Sequence, residues 1–195
     1  MKRKFAELES GENTSGEKRT WALGLLKAMN NPNSVLKTDN KVTMIKDLYP
    51  KARHHFLVLP NKDISDLKTV QPEHLGMLRH MDKIAKEYVQ ENYPGVNFMI
   101  GYHAEASMHR LHLHVISDDL DSTAMKTKKH WNSFATKFFI NSKDIRQSLA
   151  NNGSVQLPSK EQCKQYLDTA LKCHKCDFKP KHMPDLKKHI LTHLK

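Results

Sequence analysis

Cys173, Cys176, His189 and His193 are separated by two, twelve and three residues, and no other feature of the chain constrains its fold so tightly. Two cysteines on a tight turn and two histidines one helical turn apart can reach a single ion tetrahedrally, the closed arrangement of a structural zinc site. Leu186, three residues before the first histidine, anchors that helix. The position four residues after the second cysteine, usually apolar in such modules, is Pro180, with Phe178 two positions earlier, so the packing under the metal is expected to be atypical. Three cysteines, two of them in a CxxC pair, point to metal in a reducing compartment and leave Cys163 a free thiol.

The rest reads as one α+β domain, because 195 residues at 38% hydrophobic content fill a single core. Residues 1–19 are charged, with two glycines and almost no apolar periodicity, and predict a flexible tail. Thr20 reads as the N-cap of a short helix carrying Trp21, Leu25, Leu26 and Met29 and stopped by Asn30-Asn31-Pro32. KVTMIKD from Lys41 and HHFLVLP to Pro60 read as strands around a Tyr49-Pro50-Lys51 turn. Leu75, Leu78, Met81, Ile84, Ala85 and Tyr88 recur at helical spacing and predict the longest helix from Pro72 to about Tyr93. VNFMIGYH and RLHLHVIS add two strands, giving a mainly antiparallel sheet. A basic segment from Lys126 to Phe139 precedes helices expected over Ser142–Ala150 and from Ser159. The predicted organisation is a tail over 1–19, a domain over 20–150, and a linker helix with the finger over 151–195.

Lysine and arginine outnumber aspartate and glutamate by 32 to 21, a net charge of +11 that favours a polyanionic partner, nucleic acid or an acidic membrane, over the alternative of a merely soluble basic enzyme. No run approaches the roughly 18 apolar residues of a membrane span, and the N-terminus lacks a secretory apolar stretch, so an intracellular protein without a membrane partner is expected. Residues 172–195 carry seven lysines against Asp177 and Asp185, a surface suited to a phosphate backbone. One finger spans about three base pairs and is expected to position DNA rather than select sequence. Losing the metal should then weaken DNA binding more than it disturbs the rest of the domain.

Arg110, His112 and His114 alternate with Leu111, Leu113 and Val115. Strand geometry would send the arginine and both histidines to one face, the leucines and valine to the core, and His109 to the opposite face from Arg110. In a chain with thirteen histidines, spacing leaves open a catalytic pair, a metal-binding pair or surface decoration.

The stretch LHLHVISDDLDS, with GYHAEASM before it and YPKARHHFLVLP upstream, resembles the histidine-triad hydrolases and transferases, which act on nucleotide phosphates. With KKHWNSF, CHKC and HILTH, the resemblance runs from about Trp21 to the end and is greatest to the branch that hydrolyses DNA adenylates. It implies a histidine-triad fold in which His112 attacks the α-phosphate to form a covalent nucleotidyl-histidine. It further implies that His114 contacts the phosphate oxygens, that His55 lies beside them, that Ser107 binds the phosphate, and that His103 protonates the departing DNA 5′-phosphate.

Asp47 falls where the family binds the ribose hydroxyls, and Leu48 and Leu25 where it flanks adenine, with a plain core leucine an equal reading of Leu48. Lys51 falls near the active site, with a solvated turn lysine an equal reading. Trp21 matches a residue that stacks on the terminal base pair, against the alternative of helix packing. Lys126, Lys128, Lys129, His130 and Ser133 would contact backbone phosphate, against the alternative of a solvated face, and Trp131 reads as core. The first triad position carries Arg110 instead of histidine, implying altered positioning of His112 and a guanidinium available to DNA phosphate.

The implied activity is removal of AMP from adenylated 5′-phosphates at DNA nicks and ends, with RNA–DNA junctions among the candidate substrates. The implied protein is a nuclear repair hydrolase, monomeric on DNA, with one structural Zn2+ and no catalytic metal. Two rivals stand beside it: a histidine-triad hydrolase of free dinucleotides or nucleotide conjugates, and a DNA-binding adaptor whose catalysis Arg110 has impaired.

Overall fold

The computed structural model describes residues 24–194, so Trp21, Thr20 and the tail lie outside the described residues. Helix α1 (Gly24–Met29) ends at the Asn30-Asn31 stop, where the Asn30 side-chain amide donates to the Leu26 carbonyl at 3.1 Å. Strands β1 (Val35–Thr38), β2 (Val42–Lys46), β3 (His55–Pro60), β4 (Phe98–His103), β5 (Leu113–Ser117) and β6 (Phe139–Asn141) form one antiparallel sheet in the order β1-β2-β3-β5-β4-β6. Helix α2 (Leu75–Asn92) follows a 3-10 turn at Pro72–His74. Helices α3 (Lys128–Ala135), α4 (Ser142–Asn152), α5 (Lys160–Asp168) and α6 (Met183–Ile190) complete the described chain, and His193 lies on a 3-10 turn after α6. Among the described residues no helix is long and apolar enough to cross a membrane.

Strand alternation gives the sheet two different faces. Val42, Met44, Phe56, Val58, Leu113, Val115 and Tyr102 point to one side and bury against Leu78, Met81 and Ala85 of α2 and Ile145 and Leu149 of α4. Register pairs Ile45 with Leu57, Leu57 with His114 and His114 with Gly101, which puts these residues on the other face with His55 and His103. There Leu25 of α1 packs on Ile45, Leu57 and Leu59. Gly101 must lack a side chain, because a Cβ would drive into the Ile140 carbonyl and the Phe139 ring. α2 and α4 therefore close one face and leave the histidine face to other elements.

The basic segment 126–139 contains helix α3, which the sequence did not mark. Thr127 caps α3 by accepting the His130 amide at 3.1 Å, and Trp131 and Phe134, three residues apart, bury one side of it. Strands β1 and β6 were not anticipated either; they are short edge strands, only partly buried, and lack a strong period-two pattern. Residues 109–112 are not strand, so alternation does not govern them.

Candidate active site and zinc centre

His112, His114 and His55 are buried polar residues in one cluster with His103. Their hydrogen bonds assign the protons. The Lys51 amide donates to His55 Nδ1 at 3.2 Å, so the His55 proton is on Nε2 and points at His114 Nδ1, 3.0 Å away. His114 then carries its proton on Nε2, a buried donor with no partner among the described residues. His112 donates from Nδ1 to the Arg110 carbonyl at 2.8 Å, which leaves its Nε2 as a bare lone pair. Asp47 Oδ2 lies 3.5 Å from His55 Nδ1, a weaker contact than the Lys51 amide, and Oδ1 accepts the Tyr49 amide at 2.7 Å.

Burial is the leading cause that keeps these rings neutral. It lowers His55 to about 4 against a weaker opposing pull from Asp47. It takes His103 and His114 well below the ordinary histidine range, with the neighbouring imidazoles adding to the shift. His112 is lowered by burial too, opposed by its bond to the Arg110 carbonyl and by Asp47. Phe134 meets the His55 and His114 rings edge-on at 5.5 and 5.4 Å, a packing wall that the segment KKHWNSF did not announce. Asp47, His55 and His114 could also gather around a cation. The Lys51 amide and the His55–His114 bond already use three of their four ring nitrogens, and the Lys51 ammonium adds like charge beside them.

The other sequence-predicted residues distribute around this cluster. His103 Nε2 is buried without a partner among the described residues, and a cavity of about 110 Å³ lies between His103, His112, Leu111 and Lys68. Ser107 is exposed on the loop between β4 and β5. Leu48 is 81% exposed, which removes the core reading, whereas Leu25 is buried under α1. Lys51 Nζ donates to the Tyr49 carbonyl at 2.6 Å, and its pKa is lowered first by burial and then by Lys126. Lys126 and Lys129 are exposed, Lys128 donates to the Asp168 carbonyl, and Ser133 donates to the His130 carbonyl. His130, half-buried, is lowered by burial and by Lys51. Trp131 is fully buried, as its segment suggested.

Arg110 departs from the strand-based expectation. Its φ is +92°, and its guanidinium turns to Asp63 at 2.8 Å and the Asn61 carbonyl at 3.1 Å. It is buried and already paired, so it is not available to a DNA phosphate.

In the finger, Cys173 Sγ and Cys176 Sγ lie 3.5 and 3.6 Å from His193 Nε2, Cys176 Sγ lies 3.1 Å from His189 Nε2, and the two Nε2 atoms are 3.2 Å apart. A tetrahedral zinc with Zn–S of about 2.3 Å and Zn–N of about 2.05 Å separates S from N by about 3.6 Å and N from N by about 3.3 Å. The four atoms therefore fit one ion, which would cross-link the turn to α6 and the 3-10 turn after it. Phe178 is 40% exposed and stacks on the His189 ring at 4.0 Å instead of filling a core under the metal, the atypical packing that Pro180 foretold.

That core comes from the domain instead: Cys173, Leu186 and Ile190 join Trp131, Phe134, Ile116, Leu120 and Met125 in one buried cluster. Trp131 Nε1 donates to the Lys172 carbonyl at 2.9 Å, His174 Nε2 to the Asp118 carbonyl at 2.6 Å, and Lys187 to the Ser122 carbonyl at 2.9 Å. Lys175 pairs with Asp118 at 3.0 Å and Lys172 with Asp177 at 2.7 Å. Part of the finger's basic charge thus faces the protein.

Residues 20–130 match the family described as "Scavenger mRNA decapping enzyme C-term binding", and residues 135–195 match the C2HE / C2H2 / C2HC zinc-binding finger. The chain is 44% identical to aprataxin of Gallus gallus over 175 residues, covering 89% of this chain and 55% of that protein. It is 30% identical to the aprataxin-like protein of Saccharomyces cerevisiae over 155 residues, covering 64% of this chain and 71% of that one. The chain spans about half the length of the vertebrate relatives it matches. The crystal structure of the aprataxin ortholog Hnt3 in complex with DNA shares the fold, with a TM-score of 0.64 at 22% identity over 91% of this chain and 94% of that one.

Proposed function

The chain belongs to the aprataxin family, and from that premise we propose that it is a nuclear DNA-repair hydrolase that removes AMP from adenylated 5′-phosphates at DNA nicks and ends, RNA–DNA junctions included. The observation that carries the reading is the proton assignment: the Nδ1–H of His112 is held by the Arg110 carbonyl, leaving Nε2 free as a nucleophile.

His112 Nε2 attacks the α-phosphorus and forms a P–N bond as the bond to the bridging oxygen breaks. The DNA 5′-phosphate leaves with that oxygen and takes a proton from His103. The neutral His103 of the free pocket gains its proton when substrate arrives, because phosphate charge opposes the burial that lowered its pKa. His114 Nε2–H donates to the phosphoryl oxygens, and the Lys51 amide and His55 hold that proton in place from behind. Water then attacks phosphorus and gives its proton to the now neutral His103, the P–N bond breaks with its electron pair returning to His112 Nε2, and AMP is released. Asp47 accepts the ribose hydroxyls, exposed Leu48 covers one side of the adenine, and Ser107 adds a phosphate contact. The mechanism uses no catalytic metal; zinc, when bound, supplies a structural cross-link.

Lys126, Lys129 and the free finger lysines hold DNA backbone around a single protein copy, with Trp21 against the terminal base pair. The rival adaptor reading loses its motive, since Arg110 leaves the hydrogen bonds of His55, His112 and His114 intact. Protein quenched during turnover of a 5′-adenylated nicked duplex should carry AMP on the peptide containing His112. AMP on another residue would overturn the mechanism, and equal turnover of a free dinucleoside polyphosphate, indifferent to DNA, would favour the free-nucleotide rival.

A further inference from the structure

We infer that Asp63 is a positioning residue for the reaction, acting through Arg110 to hold the backbone turn whose carbonyl orients His112; this deepens the reading above and rests on His112 as nucleophile. Arg110 has φ +92°, a left-handed conformation that a residue with a side chain keeps only when its surroundings enforce it. The loop between β3 and the 3-10 turn at Leu67–Thr69 supplies that enforcement. The Arg110 amide donates to the Ser65 carbonyl at 3.1 Å and the Leu111 amide to the Ile64 carbonyl at 2.7 Å. Arg110 Nη2 donates to the Asn61 carbonyl at 3.1 Å, and Nη1 donates to Asp63 Oδ1 at 2.8 Å.

Asp63 is the one counter-charge paired with this guanidinium among the described residues, while Nε has no partner among them. His109 Nε2 lies 3.6 Å from the same carboxylate oxygen. The charge on Arg110 is nearly buried, at 8% exposure, whereas Asp63 is 70% exposed at its side chain. A buried charge that loses its partner is driven toward water. The backbone that carries Arg110 would move with it, and the Arg110 carbonyl is the acceptor that keeps the His112 proton on Nδ1. Without that acceptor the His112 ring can turn, or carry its proton on Nε2, where it cannot attack phosphorus. An arginine at this position is therefore compatible with catalysis because an acid faces it across the loop.

The test is Asp63→Ala, Asp63→Glu and the double variant Asp63→Ala with Arg110→His, each in the full zinc-loaded chain. Asp63→Ala should lower kcat for AMP release from an adenylated nicked duplex about tenfold or more, leave KM within about twofold, and lower the melting temperature, because the buried Arg110 charge loses its partner. Nitrogen-15 spectra of labelled histidine should show His112 losing its fixed Nδ1–H form. Asp63→Glu should restore both readouts, and the double variant should exceed Asp63→Ala alone, because a neutral histidine leaves no buried charge unpaired. A kcat within about twofold of the parent and an unchanged His112 signal in Asp63→Ala would overturn the proposal. If the parent released no AMP while Asp63→Ala still shifted the His112 signal, the clamp would stand and the substrate reading would fall.

Discussion

The chain gathers histidines twice, and the two gatherings obey different rules. In the histidine pocket, His55 and His114 approach to 3.0 Å because one proton is shared between them, and a backbone amide on the far side of His55 fixes which ring owns it. In the finger, His189 and His193 approach to 3.2 Å with two thiols completing a tetrahedron, which is the spacing of atoms that share an ion. A short contact between imidazoles is therefore ambiguous until the remaining ring nitrogens are followed to their partners. The pocket orders its rings by burial and directional hydrogen bonds and keeps one lone pair free. The finger commits its ligand atoms to one centre and keeps none.

The sharpest way to break this contrast is His112→Ala. Removing the free lone pair should reduce AMP release by about three orders of magnitude or more, while DNA affinity, measured by fluorescence anisotropy, stays near that of the parent. Residual release within an order of magnitude would mean another group attacks.

Zinc removal comes next. The sequence led us to expect less effect on the pocket than on DNA binding, but Leu186, Ile190 and Cys173 share a core with Trp131, Phe134 and Ile116, and Phe134 also walls the pocket. Chelation, or Cys173→Ser with Cys176→Ser, should lower the melting temperature by about 10 °C or more and slow AMP release from a small adenylate in parallel with release from DNA. A finger that lost DNA binding while the pocket kept its small-substrate rate would restore the picture of an independent module.

Acid should distinguish the two kinds of order. The pKa of His55 is about 4 in the folded chain against 6.5 as its ordinary value, so between these the unfolded chain binds the extra proton and stability falls as pH falls. The His55 contribution is fully present above pH 6.5, declines by about 1 kcal/mol from pH 6.5 to 5.5, and is lost to the extent of about 3 kcal/mol below pH 4. Denaturant titrations across pH 6.5 to 5.5, with a zinc indicator confirming that the ion stays bound, should show a steeper slope in the parent, because His103, His112 and His114 are lowered by burial too, and a slope shallower by about 1 kcal/mol over that window in His55→Asn. The smallest effect belongs to the exposed finger lysines. Lys179→Gln and Lys188→Gln should each weaken DNA binding modestly and reduce the salt dependence by about one counterion per lost phosphate contact.

Much of this molecule was legible before any coordinates. Local patterns found α2, α4 and α5, because apolar period, Ser159 and Gly153 mark their bodies and ends. β3 and β5 were visible as apolar runs. α3 was not, since eight residues with two apolar anchors mark no period, and β6 was not, since three residues carry no alternation. In the site, the family's histidines could be numbered from their motif. Phe134, Gly101 and Asp63 could not, because each matters only through a neighbour distant in sequence: the His114 ring, the Ile140 carbonyl and the Arg110 guanidinium.

The sequence by itself picked out the four cysteine and histidine residues whose ligand atoms fit one ion, and the identity of the histidines. Ligand spacing on a turn and a helix is local geometry, and a motif names residues whatever surrounds them. Only the tertiary structure decided which nitrogen of His55, His112 and His114 holds its proton, that Arg110 faces Asp63 instead of solvent, and that the finger's apolar residues share the domain's core. Those depend on burial and on partners brought together across the sheet, and burial is a property of the packed chain rather than of any segment within it.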